Sequence, residues 1–335
     1  MRYVIYGAGA IGGVIGGRLH QSGHDVVLIA RGAHLEALRT DGLRIQSARD
    51  DVRLSIPAVS TPAEANITSG DVVILAMKAQ DTTAAVAELA SVAPHDIVVL
   101  CAQNGVDNER IALRSFAHVY GLYVFVVATH LAPGTVQYFT DPSCGILDIG
   151  RYPSGRDDVA DRLSDEFQNA GFDSRSQPGI MQWKYRKLLS NLANALQALC
   201  EEDGDLGLER LTDLAEGVFT EAAACYKAAG IDCVTASDQD ERIASLMPFA
   251  NVDGHAFPGG SSWQSLARGS GRIETDYLNG EVVLLGREFG VPTPVNEVLQ
   301  RTARRMARTG LAPGSVTPDQ LRAEVQSAKN AVVLA

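Results

Sequence analysis

The sequence predicts an α/β protein in which an N-terminal doubly wound, mostly parallel sheet is followed by an all-helical C-terminal domain. Three observations carry that prediction. Short apolar runs alternate with amphipathic stretches through the first half, a glycine-rich turn follows the first run at once, and from about residue 183 to about 309 the hydrophobic spacing is helical. A chain of 335 residues, 46% of them hydrophobic, exceeds one typical core, so two domains are expected.

The runs 3–6, 26–30, 72–76 and 97–101 read as buried parallel strands, separated by helices that would cover both faces of the sheet. Three more β-rich runs follow at 119–128, 135–139 and 145–149. Ala132-Pro133-Gly134 between the first two suggests a hairpin-like extension. A last short strand is expected at 172–176, after which Gln177-Pro178-Gly179 breaks the pattern. The domains are therefore drawn as 1–178 and 179–335. Within the helical part, the loop 251–261 and Gly290-Val291-Pro292-Thr293-Pro294 interrupt the periodicity.

Acidic residues outnumber basic ones by 40 to 29, for a formal charge of −11. Such a surface repels phosphate backbones and anionic membranes, so nucleic-acid and membrane partners are not expected, and an anionic ligand needs a local basic site. Cys101, Cys144, Cys200, Cys225 and Cys233 are odd in number and scattered, without the paired spacing of a zinc site, so no metal is expected and the thiols read as reduced, in the cytoplasm. With only Met1 and Arg2 before the first strand no signal peptide is expected, and the least charged stretch, 120–140, carries His130, Pro133 and glycines unsuited to a membrane span.

Gly7-Ala8-Gly9-Ala10-Ile11-Gly12 sits between a strand and a helix, where Gly7 permits the tight turn, Gly9 lets backbone approach a pyrophosphate, and Gly12 lets helix and strand pack closely. The helix N-terminus adds amide donors and partial positive charge. Together these predict a Rossmann-type dinucleotide site. The second strand ends in Ala30-Arg31-Gly32 rather than in the Asp or Glu that grips an NAD ribose; a guanidinium there suits a 2′-phosphate, so NADP(H) is expected, although residue type alone also fits a solvated arginine. Lys78 and Gln103-Asn104-Gly105 follow the next two strands, at the carboxyl edge where such sheets bind ligands. On their own, Lys78 reads equally as a loop lysine and Asn104-Gly105 as a turn.

In the segment 183–196, Lys187, Asn191 and Asn194 stand at i, i+4 and i+7, on one face of a helix that is otherwise largely Leu and Ala. That polar stripe is either a solvated face, as neighbouring Lys184 and Arg186 suggest, or the lining of a cleft that faces the nicotinamide. The chemistry favours residues of this kind. Hydride arriving at a carbonyl carbon builds negative charge on oxygen, and an ammonium aimed at that oxygen stabilises the charge and donates the proton.

Taken in order and spacing, the glycine loop, Arg31-Gly32, Lys78, Gln103-Asn104-Gly105, the Lys187 helix and Glu274-Thr275-Asp276-Tyr277-Leu278-Asn279-Gly280 resemble the ketopantoate reductase (2-dehydropantoate 2-reductase) family over nearly the whole chain. The resemblance implies reduction of a small anionic 2-keto acid to the 2-hydroxy acid with NADPH. It makes Lys187 the general acid, and Asn104, Asn191, Asn194 and Ser262 substrate contacts, Ser262 at the carboxylate. It gives Glu274 a hydrogen bond to the substrate hydroxyl or Lys187, and counts Gly7, Gly9, Ala10, Ile11, Gly12, Arg31, Lys78, Asn104 and Glu274 as cofactor contacts.

The chain departs from the family pattern where Ala195 stands in place of a usual second helix asparagine and Leu266 in place of an aspartate after the paired serines; Trp263 and Gln264 are also unlike the usual residues, and Arg268 and Arg272 lie nearby. Because polar sites reject analogues chiefly by leaving groups unpaired, these changes predict a 2-keto acid with a larger or more apolar tail. Rival readings are another NAD(P) dehydrogenase of opine or 3-hydroxyacid type, for which His255 is the best catalytic histidine, and a non-catalytic NADP(H)-sensing protein. The sequence leaves the oligomeric state open: apolar runs such as 282–285 fit a core or a homodimer interface.

Overall fold

The computed structural model describes residues 1–200, 208–244 and 249–333; residues 201–207, 245–248 and 334–335 of the expected helical domain lie outside the described residues. In chain order the elements are β1 (Arg2–Tyr6), α1 (Ala10–Gln21), β2 (Asp25–Ile29), α2 (Gly32–Thr40), β3 (Leu43–Gln46), β4 (Asp51–Leu54), β5 (Ala58–Val59), β6 (Asp71–Leu75), α3 (Thr82–Ala90), β7 (Val98–Cys101), α4 (Asn108–Leu113), β8 (His118–Phe125), β9 (Ala128–Thr129), β10 (Thr135–Tyr138), β11 (Ile146–Arg151) and α5 (Asp158–Asn169). The helices α6 (Ile180–Cys200), α7 (Thr212–Ala229), α8 (Ala236–Ala244), α9 (Ser261–Ala267), α10 (Asn279–Phe289), α11 (Pro294–Thr309) and α12 (Pro318–Val333) follow.

The main sheet has seven strands in the order β11-β8-β7-β6-β1-β2-β5, parallel except for β11, which runs antiparallel to β8. Its residues are apolar in runs because both faces are covered. Tyr3 and Ile5 enter one core with α1 and α5, while Val4 enters the other with α3 and α4. A second sheet, β4-β3-β10-β9, packs on the far side of α1. Glycine makes this sandwich fit. A Cβ on Gly16 would lie 2.8 Å from Ile5 of the main sheet, and one on Gly17 would lie 2.1 Å from Ile45 of the second.

The expected hairpin-like extension is thus divided: the 132–134 turn does join the antiparallel β9 and β10, but β8 and β11 belong to the main sheet. Residues 172–176 form no strand; they run beside β11 through two isolated bridges, Ile146 to Asp173 and Ile149 to Ser176.

The compact units are discontinuous. One comprises Met1–Lys184 with Val234–Phe257, the other Tyr185–Cys233 with Pro258–Ala335, so a single cut at 178 does not describe the return of 234–257 to the first unit. Arg242 of α8 explains that return. Its side chain is buried against the carboxylates of Asp148, on β11, and Asp173. In the second unit Leu188, Leu192, Val218, Val282, Leu299 and Met306 are fully buried, and Asn296 at the start of α11 binds Val218 O at 3.2 Å and Asn279 at 3.1 Å.

Candidate active site

In the first unit, strand pairing aligns the carboxyl ends of β1, β2, β6 and β7: Tyr6 lies opposite Ile29 and Leu75, and Leu75 opposite Cys101. The loops carrying Gly7, Arg31, Lys78 and Asn104 therefore leave one edge of the sheet, as expected. Gly7 has φ +101° and its α-carbon faces Met77 N, 2.7 Å from where a Cβ would stand, so only glycine fits. Gly7 N and Ala8 N both donate to Ile29 O, at 3.1 and 3.2 Å. Gly9 caps α1 without a side-chain bond, and a Cβ there would meet nothing within 4 Å.

The first helical bond of α1 runs from Gly13 N to Gly9 O at 2.7 Å, which leaves the amides of Ala10, Ile11 and Gly12 ahead of the ladder. No acidic residue occupies the first turn of α1. An open glycine, forward amides and an uncompensated dipole fit the pyrophosphate of a dinucleotide. Arg31, at the end of β2, is 83% exposed with Asp81 3.6 Å away, so its guanidinium is accessible to a phosphate.

The loop of Asn104 is held from behind. Asn104 O accepts from Asn108 Nδ2 at 2.9 Å, Asn108 Oδ1 accepts from Thr82 Oγ1 at 2.7 Å, and Thr82 Oγ1 accepts from Gln103 Nε2 at 3.1 Å. Lys184 Nζ donates to Gln103 O at 3.2 Å and to the carboxylate of Glu109. Lys184 is therefore no part of a solvated face: it is 4% exposed, and Glu109 is fully buried. Burial pushes the Glu109 carboxyl up, against the pull of the Lys184 ammonium. Nothing in the local sequence pairs these two residues, which lie 75 positions apart.

In the second unit α6 carries Lys187, Asn191 and Asn194, all half-buried, on one face of an unbroken helix. Asn191 Nδ2 is buried without a hydrogen-bond partner. Asn194 Oδ1 lies 3.3 Å from the Cβ position of Gly260, and Gly260 N donates to Gln197 Oε1 at 3.1 Å, which brings the start of α9 onto α6. Gln264 Nε2 donates to Gly259 O at 3.0 Å and closes the same turn. Ser262 and Glu274 are each 2% exposed. Glu274 lies in the 3-10 turn Glu274–Tyr277, and Asn279 just beyond it donates to Leu192 O of α6 at 3.3 Å.

These three segments carry further buried polar atoms without a hydrogen bond: Ser261 Oγ, Trp263 Nε1 and Thr275 Oγ1. Proteins rarely leave such atoms unmet, and a ligand offering oxygen atoms would satisfy them. Gln197 and Gln264 were not among the expected site residues; Gln197, three positions beyond Asn194, continues a helical spacing that could have revealed it. Ala195 and Leu266 are buried, at 2% and 5% exposure, while Arg268, Arg272 and His255 are exposed. Among the described residues no cluster of metal-binding side chains occurs and no helix is long and apolar enough to cross a membrane.

The fold and these two sets of residues define a Rossmann-type nicotinamide dinucleotide oxidoreductase with a helical second unit. The chain belongs to the ketopantoate reductase family: residues 3–153 match the model for ketopantoate reductase PanE/ApbA, and residues 179–307 match the model for its C-terminal part. It is 30% identical over 307 residues to the 2-dehydropantoate 2-reductase of Archaeoglobus fulgidus, covering 90% of this chain and 97% of the relative. The corresponding enzyme of Pyrococcus horikoshii is 29% identical over 325 residues, 94% of this chain and 100% of its own. A crystal structure of a PanE/ApbA family ketopantoate reductase from Ralstonia eutropha superposes with a TM-score of 0.77 at 29% identity, over 92% of this chain and 99% of that one.

Proposed function

We propose that this protein reduces a 2-keto acid to the 2-hydroxy acid with NADPH, in the cytoplasm, with Lys187 as the general acid. The observation that carries the reading is the half-buried Lys187–Asn191–Asn194 face of α6, with Asn191 Nδ2 unmet and buried polar atoms on the two segments tied to that helix. The bound cofactor supplies the hydride. The chain's residues supply everything else the reaction needs.

Ala10, Ile11 and Gly12 amides hold the pyrophosphate, Arg31 pairs with the 2′-phosphate, and Lys78 and Asn104 contact the nicotinamide end. Ser262, Asn191 and Asn194 hold the keto acid, with Ser262 at its carboxylate. The Lys187 ammonium stabilises the charge that grows on the carbonyl oxygen and delivers its proton there, while Glu274 accepts a hydrogen bond from the new hydroxyl or from Lys187. The names of the relatives point to ketopantoate as their substrate. With the apolar Ala195 and Leu266 in place of the family's amide and carboxylate, this chain prefers a 2-keto acid with a larger or more apolar tail.

Oxidation of NADPH by the purified protein, followed by absorbance with a panel of 2-keto acids, tests both levels. Turnover with any of them supports the reaction class, and none with all of them overturns it. A kcat/KM for ketopantoate above that for every bulkier acid would overturn the substrate preference alone.

A further inference from the structure

We propose that His34 is a positioning residue for the dinucleotide site, holding the Ala8 carbonyl so that the Ala8–Gly9 peptide presents its amide to the pyrophosphate. This rests on the cofactor assignment above but not on the identity of the keto acid. The ring of His34, in the first turn of α2, is engaged at both nitrogens: Nε2 lies 2.7 Å from Ala8 O, and Nδ1 2.9 Å from Gly134 N. A backbone amide only donates and a carbonyl only accepts, so Nδ1 carries the lone pair and Nε2 carries the hydrogen. The imidazole is a strut of defined tautomer between the glycine loop and the β9–β10 turn.

The strut matters because of where it ends. Across a planar trans peptide the C=O and N–H point in opposite directions, so fixing Ala8 O also fixes the direction of Gly9 N–H. Gly9 cannot fix it alone. It has no side chain and nothing within 4 Å of its Cβ position, and glycine is the residue with the most backbone freedom to lose. The Gly134 end is itself anchored, with φ +74° and its Cβ position 3.0 Å from the Ala37 Cβ of α2.

The titratable group packed against the ring is His130, tilted by 52° with centroids 4.1 Å apart and its own Nδ1 3.1 Å from Thr135 O. Arg31 and Glu36, the nearest charged residues of the His34 segment, are exposed. Protonation of His34 would set a ring N–H against Gly134 N–H and break the strut.

The test is direct NADPH binding to the full chain, read by cofactor fluorescence, for wild type, His34→Ala, His34→Asn and His34→Gln. A glutamine amide reaches the place of Nε2 and can donate to Ala8 O, whereas an asparagine reaches only the place of Nδ1. His34→Asn and His34→Ala are expected to bind NADPH about tenfold more weakly, as for one lost hydrogen bond, with kcat at saturating NADPH unchanged, and His34→Gln to recover most of the affinity. Wild-type affinity should also fall more steeply at acid pH than that of His34→Gln, which shares the protonation of the 2′-phosphate but not that of the imidazole. Equal affinity of the asparagine and glutamine variants would overturn the proposal, and because these two are close in size their comparison stands even where the alanine variant fails to fold. Failure of the wild type to bind either nicotinamide dinucleotide would overturn the cofactor assignment, and this inference with it.

Discussion

In the first unit the groups proposed to meet the cofactor are mostly main-chain amides at the start of α1, and their placement follows from Gly7 at φ +101° and from a strand register running from Tyr6 to Ile29 and Leu75. In the second unit those proposed to meet the substrate are side chains from α6, α9 and the 274–277 turn, drawn together by Gln197, Gln264 and Asn279. The first set is specified by local backbone rules, the second by pairings between distant segments. A nucleotide common to many enzymes suits the first kind of construction, and a substrate peculiar to one suits the second, because side chains can change without moving the backbone.

The largest expected effect breaks the two sets apart. Lys187→Ala should lower kcat by about 10²–10⁴, the usual worth of a positioned general acid, while the dissociation constant for NADPH stays at the wild-type value. A parallel loss of NADPH binding would mean that the lysine supports the fold or the nucleotide rather than the proton transfer.

Next in size is the ion pair beneath the Asn104 loop. Replacing Glu109 by Ala leaves the Lys184 ammonium buried and uncompensated, which should cost about 3–5 kcal/mol in urea unfolding. The double change Glu109→Gln with Lys184→Met should restore much of that loss. If the double variant is as unstable as the single, the pair is not the reason for the cost.

Arg31 sharpens the cofactor side of the comparison. Arg31→Ala should raise KM for NADPH about 10- to 100-fold, the range for a lost charge-assisted hydrogen bond, and leave KM for NADH within a few-fold. An equal effect on both nucleotides would show that Arg31 does not read the 2′-phosphate.

How far each region could be read in advance follows the same division. The glycine turn after β1, the helix it opens and the stripe on α6 are local patterns of spacing, and they appear in the structure where the sequence puts them. The sequence pattern does not reveal strands β3 and β4, because Leu43–Gln46 and Asp51–Leu54 are four residues each with charged side chains among them, too short for a period to stand out. In the sequence Lys184 only adds weight to a solvated face beside the stripe, and its partner Glu109 is visible only once the chain has folded. The return of 234–257 to the first unit depends on Arg242 finding Asp148 and Asp173, a pairing no local spacing encodes.

The smallest expected effects come from two carboxylates that cap helices, one in each unit. Burial pushes the Asp157 carboxyl up, but the Ala160 amide at 2.9 Å, the Tyr120 hydroxyl at 2.8 Å and Arg151 at 3.0 Å outweigh it, so its pKa lies below the ordinary range. Burial also pushes Glu221 up, and the amides of Val295 and Asn296 at 2.8 and 3.0 Å do not reverse it, so its pKa lies above that range. The two therefore act on stability with opposite signs. Asp157 contributes most above the unfolded carboxylate pKa of about 3.9, and its contribution disappears as pH falls through the depressed folded value. For Glu221 the folded state holds the proton more tightly than the unfolded chain, so its contribution is greatest at acid pH and shrinks as pH rises from about 4.3 through the raised folded value. Urea unfolding from acid to neutral pH should show Asp157→Ala costing about 1 kcal/mol at neutral pH, as for a lost N-cap, and progressively less in acid. Glu221→Gln should cost more in acid than at neutrality. Curves of the same sign for both variants would mean that solvent reaches Glu221 as freely as it reaches Asp157.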